Sequence, residues 1–192
     1  MVKENKELMA EARESLSGNW GLAIGTFLVY GIIISSLQFI PVVGSVLALF
    51  IAGPMLVGVS MFSLSLSRGE NARLEQIFEG FKNYGTVLGA YLLMVVLILL
   101  WMLLLIIPGI IAAIAYSQTF YILAEDDAIS SMDALKKSKE MMDGYKWKYF
   151  CLGLRFIGWA LLCILTLGIG FLWLSPYIQI SYAKFYEDIK AA

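Results

Sequence analysis

Three stretches of this chain carry almost no charge, and they decide what it can fold into. No Asp, Glu, Lys or Arg occurs between Glu14 and Arg68 or between Lys82 and Glu125, and between Lys148 and Lys184 the only one is Arg155. The blocks cover 15–67, 83–124 and 149–183, which is 53, 42 and 35 residues. A helix needs about 20 apolar residues to cross a bilayer core of roughly 30 Å. The first block is therefore ample for two crossings, the second just sufficient and the third tight. Charged residues make up 15% of the chain, against about a quarter in a soluble domain. A mean hydropathy of +0.79 excludes disorder as well. What remains is a membrane protein.

Each block breaks near its middle, at Ile40-Pro41-Val42-Val43-Gly44, at Ile107-Pro108-Gly109 and at Leu167-Gly168-Ile169-Gly170. Proline removes a helical donor and glycine accepts the backbone of a sharp reversal, so these are natural hairpin tips. The expected fold is an all-α membrane protein of six transmembrane helices in three hairpins, roughly 19–39, 45–66, 85–107, 109–124, 149–166 and 171–187. A re-entrant third hairpin is the alternative for the short block and leaves the orientation unchanged. The first apolar block is too long for the core of a signal peptide, and no Ala-x-Ala site closes it, so the N-terminus is expected to stay attached.

Thirteen of the 14 Lys and Arg residues lie at the two ends or in the 68–82 and 125–148 linkers, all on one side of such a topology. By the positive-inside rule that side is cytoplasmic, with both termini inside a bacterial cytoplasmic membrane. Before each block stands a short helix with an apolar stripe: Leu8, Ala12 and Leu16; Leu74, Ile77, Phe78 and Phe81; Met132, Leu135 and Met142. These predict cytoplasmic interfacial amphipathic helices, with Leu74, Ile77, Phe78 and Phe81 as docking residues. Trp20, Tyr84, Trp147 and Tyr149 are placed as headgroup-level anchors.

The units cover approximately 4–67, 70–124 and 130–188 of one polytopic domain. Residues 19–28 and 83–92 share Asn, an aromatic, Gly-x-x-x-Gly, a second aromatic and Leu, which suggests a parallel internal repeat. Gly21, Gly25, Gly85 and Gly89 are the expected close-packing positions, since glycine lets helix backbones approach.

Polar side chains concentrate on the second, fourth and sixth crossings. Ser60, Ser63, Gln118, Thr119, Tyr177 and Gln179, with Arg155, could line a cavity for a polar or amphiphilic ligand, or the hydroxyls and amides could simply bond between helices. Arg155 lies seven residues past Lys148, so its long stem can also snorkel to the interface. Glu125-Asp126-Asp127 reads as a carboxylate cluster at a helix exit, open to a cation or to water alone.

Catalytic sets are missing. There is no histidine, no phosphate-binding glycine loop and no Gly-x-Ser-x-Gly elbow. Cys151 and Cys163 are twelve residues apart, roughly 18 Å along a helix, beyond disulfide reach. The chain is read as a non-enzyme without metal or cofactor. The mixed charge of the polar segments argues against a nucleic-acid partner, leaving the bilayer and a cytoplasmic protein as partners. A scaffold or a partner- or lipid-interacting protein is the leading function, with a small-solute or lipid transporter or channel as the alternative.

Pro108-Gly109-Ile110, Gly144-Tyr145-Lys146-Trp147 with Phe150, Phe156-Ile157-Gly158-Trp159, Gly168-Ile169-Gly170 with Trp173, Pro176-Tyr177 and Phe185-Tyr186 follow one another along the chain. With Phe78-Glu79-Gly80-Phe81, they resemble the bacterial membrane family called domain of unknown function 975 (DUF975) over nearly the whole length. The resemblance implies a polytopic protein of the bacterial cytoplasmic membrane and brings no established activity. The sequence departs from that pattern at Arg155 and at Thr119-Phe120.

Overall fold

A computed structural model describes residues 2–37, 39, 40 and 43–192, and every regular element among them is helical. In chain order these are α1 (Asn5–Leu16), α2 (Trp20–Leu37), α3 (Val43–Ser67), a 3-10 helix (Leu74–Phe81), α4 (Tyr84–Leu104), α5 (Ile106–Ala115), α6 (Thr119–Glu125), α7 (Ser131–Met141), α8 (Lys146–Leu165) and α9 (Phe171–Lys190). Among the described residues five stretches are long and apolar enough to cross a membrane: Trp20–Leu37, Gly44–Ser67, Tyr84–Leu104, Ile106–Glu125 and Lys146–Leu165. Helix α9 has the length, but Lys184, Glu187, Asp188 and Lys190 and its Ser, Gln and Tyr residues lower its hydropathy.

The hairpin tips depart in part from the sequence reading. Pro41 and Val42 of the first lie outside the described residues. The second reversal falls at Leu105, whose extended backbone separates α4 from α5. Pro108 then occupies the first turn of α5, where its missing N–H costs no hydrogen bond. Gly109 packs against Met102. In the third tip Gly168 takes φ +86° and donates its N–H to the Cys163 carbonyl, closing the end of α8.

The expected single helix over 109–124 is broken at Tyr116–Gln118, and the cause is a side chain inserted into the helix ladder. The Ser138 hydroxyl of α7 donates to the Ala115 carbonyl at 2.9 Å and accepts the Gln118 N–H at 3.2 Å. It replaces two partners that an unbroken helix would supply itself. Ser138→Ala should leave both groups buried and unpaired and cost about 1–2 kcal/mol, read by thermal unfolding in detergent.

Burial divides the molecule lengthwise. Most of the large exposed apolar side chains, among them Leu99, Leu103, Ile106, Leu161 and Leu165, lie on α2, on the first half of α3, on α4 and α5, along α8 and around the α8–α9 tip, while Phe78, Phe81 and Met132 are exposed on the short helices. The buried core gathers at the other, charged end, around Leu8, Leu16, Phe62, Tyr121, Phe185 and Tyr186. Helix α1 turns its whole apolar stripe, Leu8, Ala12 and Leu16, into this core, whereas the 3-10 helix buries Ile77 against Met55 and Val59 and α7 buries Ala134 and Leu135, each at most 2% exposed. Contacts follow one rule. The 3-10 helix packs on α3, α7 on α6 and α1 on α9, while α4 packs on α3, α8 on α5 and α2 on α9.

Backbones meet closely between the 3-10 helix and α3. A Cβ added to Gly58 would lie 2.0 Å from the Ile77 carbonyl oxygen, and one added to Gly80 would lie 2.0 Å from that of Pro54. The Gly-x-x-x-Gly positions behave differently. Among the described residues nothing beyond the neighbouring turn of the same helix lies within 4 Å of a Cβ added to Gly21, Gly25 or Gly85, whereas one at Gly89 would meet the Ser131 hydroxyl at 2.8 Å.

Candidate functional site

The residues proposed for an inner cavity separate into two groups. Ser60, Ser63, Gln118 and Thr119 are buried at 0–2% exposure, and their hydroxyls turn back onto their own chain. Ser60 donates to Leu56, Ser63 to Val59 and Thr119 to Tyr116. Gln179 donates to the Tyr121 hydroxyl at 3.0 Å, and Tyr121 stacks on Tyr186. Helices α6 and α9 thus both pack on α3 and touch each other through Tyr121, Gln179 and Tyr186. Tyr177 faces outward toward α1, donating to the Met9 carbonyl at 3.2 Å. Arg155 is exposed on α8, away from this set. Gln118 Oε1 in this set has no partner, and among the described residues the same holds for the buried Asn5 Oδ1 and Thr26 Oγ1 elsewhere.

Where the return helices end, their charges knot together. Arg68 follows α3, Glu125 closes α6, and Glu187 and Lys190 belong to the last turn of α9. Arg68 donates to Glu125 and, at 2.6 Å, to Glu187. Glu125 also accepts from Lys190 at 2.7 Å and from the Tyr186 hydroxyl at 2.6 Å. Lys184 reaches the carbonyl of Ser67, the last residue of α3. Three helix C-termini bring partial negative charge to one place, and Arg68, Lys184 and Lys190 offset it. Burial would lower the Arg68 pKa, but the hydrogen bonds to Glu187 and Glu125 hold it above its ordinary value.

A second tie lies beside this one. Asp188 accepts from Lys148 at 2.9 Å and from the Lys3 backbone N–H, fastening the start of α8 and the N-terminal segment to α9. A polar cleft of about 490 Å³ opens next to the knot between Ser65, Arg68, Gln76, Glu79, Glu125 and Lys190. Among the described residues no group of three or more acids or cysteines is placed to hold a metal ion.

Sequence reasoning took Glu125-Asp126-Asp127 as a free carboxylate cluster. Instead, Glu125 is the shared acceptor of the knot, and Asp126 caps the Ala128 N–H at 3.0 Å. The available signal was the position of the charges, since Arg68, Glu125 and Lys184 are each the first ionisable residue after an apolar block.

The docking residues also divide. Ile77 is wholly buried against Met55 and Val59 and so is closed to a partner, whereas Phe78 and Phe81 remain 45% and 37% exposed. Tyr84 and Trp147 stand exposed as expected of anchors, but Tyr149 stacks on Tyr182 at 4.7 Å within the core. Met132 of the third apolar stripe is 60% exposed, while Leu135 and Met142 are buried.

The family described as "Protein of unknown function (DUF975)" matches residues 1–111 and 95–192, so the chain belongs to that family. No curated protein and no solved structure matches it.

Proposed function

We propose that this DUF975 member is a non-enzymatic, multi-spanning protein of the bacterial cytoplasmic membrane. In this reading it binds at its cytoplasmic end and along its lipid-facing sides and passes no solute through its interior. The observation that carries this is the self-sufficiency of the core. The Ser60, Ser63, Thr119 and Ser181 hydroxyls bond to carbonyls three or four residues back in the chain. The Tyr121, Tyr177 and Tyr186 hydroxyls bond across to neighbouring helices, and the charges where α3, α6 and α9 end pair with one another. What is left unclaimed, Phe78 and Phe81 above all, faces out.

The topology proposed with it has six membrane segments in three hairpins and both termini inside. Its support is that the ends of α3, α6 and α9 meet, which requires the three hairpins to point the same way. The packing rule also supports a threefold parallel repeat, because α1 lies on α9 as the 3-10 helix lies on α3 and α7 on α6. Reporters active only outside the cell, fused after Gly44, Gly109 and Gly170, should be active, and those after Arg73 and Lys139 silent. Silence after Gly170 alone would make the third hairpin re-entrant, and activity after Arg73 or Lys139 would remove the topology.

The second reading, transport through a polar site, has one observation in its favour, the unpartnered Gln118 Oε1. Native mass spectrometry of gently purified protein separates the two. A bound protein lost on Phe78→Ser and Phe81→Ser supports docking; a bound small molecule lost on Gln118→Ala supports transport.

A further inference from the structure

Helices α2 and α8 both pack on α9, and a groove of about 300 Å³ runs along α9 between Arg13, Trp20, Trp159, Cys163, Trp173 and Tyr177. Its walls are aromatic and aliphatic, and it opens sideways onto the belt of exposed apolar side chains. One end has different chemistry. Arg13 belongs to α1, ahead of the first membrane-length stretch, and its guanidinium lies 5.7 Å above the Tyr177 ring. Among the described residues it has no carboxylate partner, although Lys3, Arg68, Lys82, Lys146, Lys148 and Lys190 each have one.

The plan occurs a second time along α5. Ile107, Ile110, Ile111 and Phe150 enclose a groove of about 470 Å³, with Lys146 and Trp147 at its charged end. A smaller neighbour of about 190 Å³ shares Ile111 and Lys146 and adds Trp101 and Lys139. The chain has five tryptophans, Trp20, Trp101, Trp147, Trp159 and Trp173, and every one lines one of these grooves.

We infer that the two grooves are binding sites for anionic glycerophospholipids of the inner leaflet. An acyl chain lies along the apolar wall in each, and the headgroup phosphate is held by Arg13 in one and, in the smaller neighbour that adjoins the other, by Lys139, with Lys146 shared with Asp143 at 3.4 Å. The inference rests on the membrane reading above and adds sites and a lipid class to it. A basic side chain at the mouth of an apolar, laterally open groove matches a molecule with a phosphate at one end and hydrocarbon at the other. Arg is suited to phosphate through its planar fork of donors. The tryptophans supply rigid rings that pack on the chain and remain compatible with the headgroup region.

The test uses the whole chain in phosphatidylcholine nanodiscs, with Trp101→Phe and Trp147→Phe so that only the α9 groove reports. A brominated-chain phosphatidylglycerol or a brominated-chain phosphatidylcholine is added in equal amount, and tryptophan quenching is measured. One basic side chain near the lipid surface corresponds to about a fivefold preference for the anionic lipid. Arg13→Gln should abolish that preference, and Arg13→Lys should keep most of it. Equal quenching by the two lipids, or a preference that survives Arg13→Gln, would overturn the inference while leaving the membrane reading intact. Failure of the chain to enter nanodiscs would overturn both.

Discussion

Gly58→Leu and Gly80→Leu are each expected to lower the stability of the folded chain by about 3 kcal/mol or more, the upper end of what overpacking costs. For a chain of this size that is roughly a 10 °C fall in melting temperature. The clash is with main chain on both sides. At Gly58 an added Cβ would also lie 2.4 Å from the Ile77 carbonyl carbon, and at Gly80 it would lie 3.0 Å from the Val57 Cβ. No rotamer change relieves contacts of that kind, so the 3-10 helix must lift off α3. Lifting it exposes Ile77, which is 0% exposed, and withdraws the cover over Met55 and Val59. The matched controls are Gly21→Ala and Gly85→Ala, where an added Cβ meets open space. These should stay within about 0.5 kcal/mol, alanine being also the better helix former. Thermal unfolding in detergent reads all four, and a Gly58→Leu variant as stable as its parent would mean that the 3-10 helix does not rest on α3.

The same glycines show where sequence reasoning reaches its limit. Spacing makes a Gly-x-x-x-Gly pair conspicuous, but whether the bare face meets a backbone depends on which helix arrives there, and that is tertiary information. Gly58 and Gly80 lie 22 residues apart in the chain and share no motif. The apolar blocks were legible because hydropathy is a property of each residue summed locally. The stripes of α1 and the 3-10 helix were legible as stripes for the same reason. Their covering was not, since a half-apolar helix suits a bilayer interface and a protein groove equally well; Leu8 and Ile77 are covered by protein, and Phe78 is not. The break at Tyr116–Gln118 was hidden more deeply. Its cause, Ser138, is 20 residues from Gln118 and looks like any serine on a polar helix.

Arg68→Gln should cost about 2 kcal/mol, and its signature should be loss of coupling as well as loss of stability. Fully exposed ion pairs contribute at most about 1 kcal/mol, whereas removing one member of a buried pair costs about 3–5 kcal/mol. The Arg68 side chain is 32% exposed and that of Glu125 is 17% exposed, which places this pair between the two limits. In the variant, Glu125 keeps Lys190 and Tyr186, but Glu187 loses its cation, so Lys184 on the Ser67 carbonyl is the charged contact left between the ends of α3 and α9. Arg68→Lys keeps the charge without the fork that spans two carboxylates, and should recover about half of the loss. If the knot is one unit, adding Glu125→Gln to Arg68→Gln costs less than the sum of the two single changes, since each has already broken the shared contact. Added salt should weaken the parent more than the Arg68→Gln variant, because only the parent has the charge pair left to screen. An Arg68→Gln protein that melts with its parent and shows additive effects with Glu125→Gln would mean that packing alone holds the return helices together.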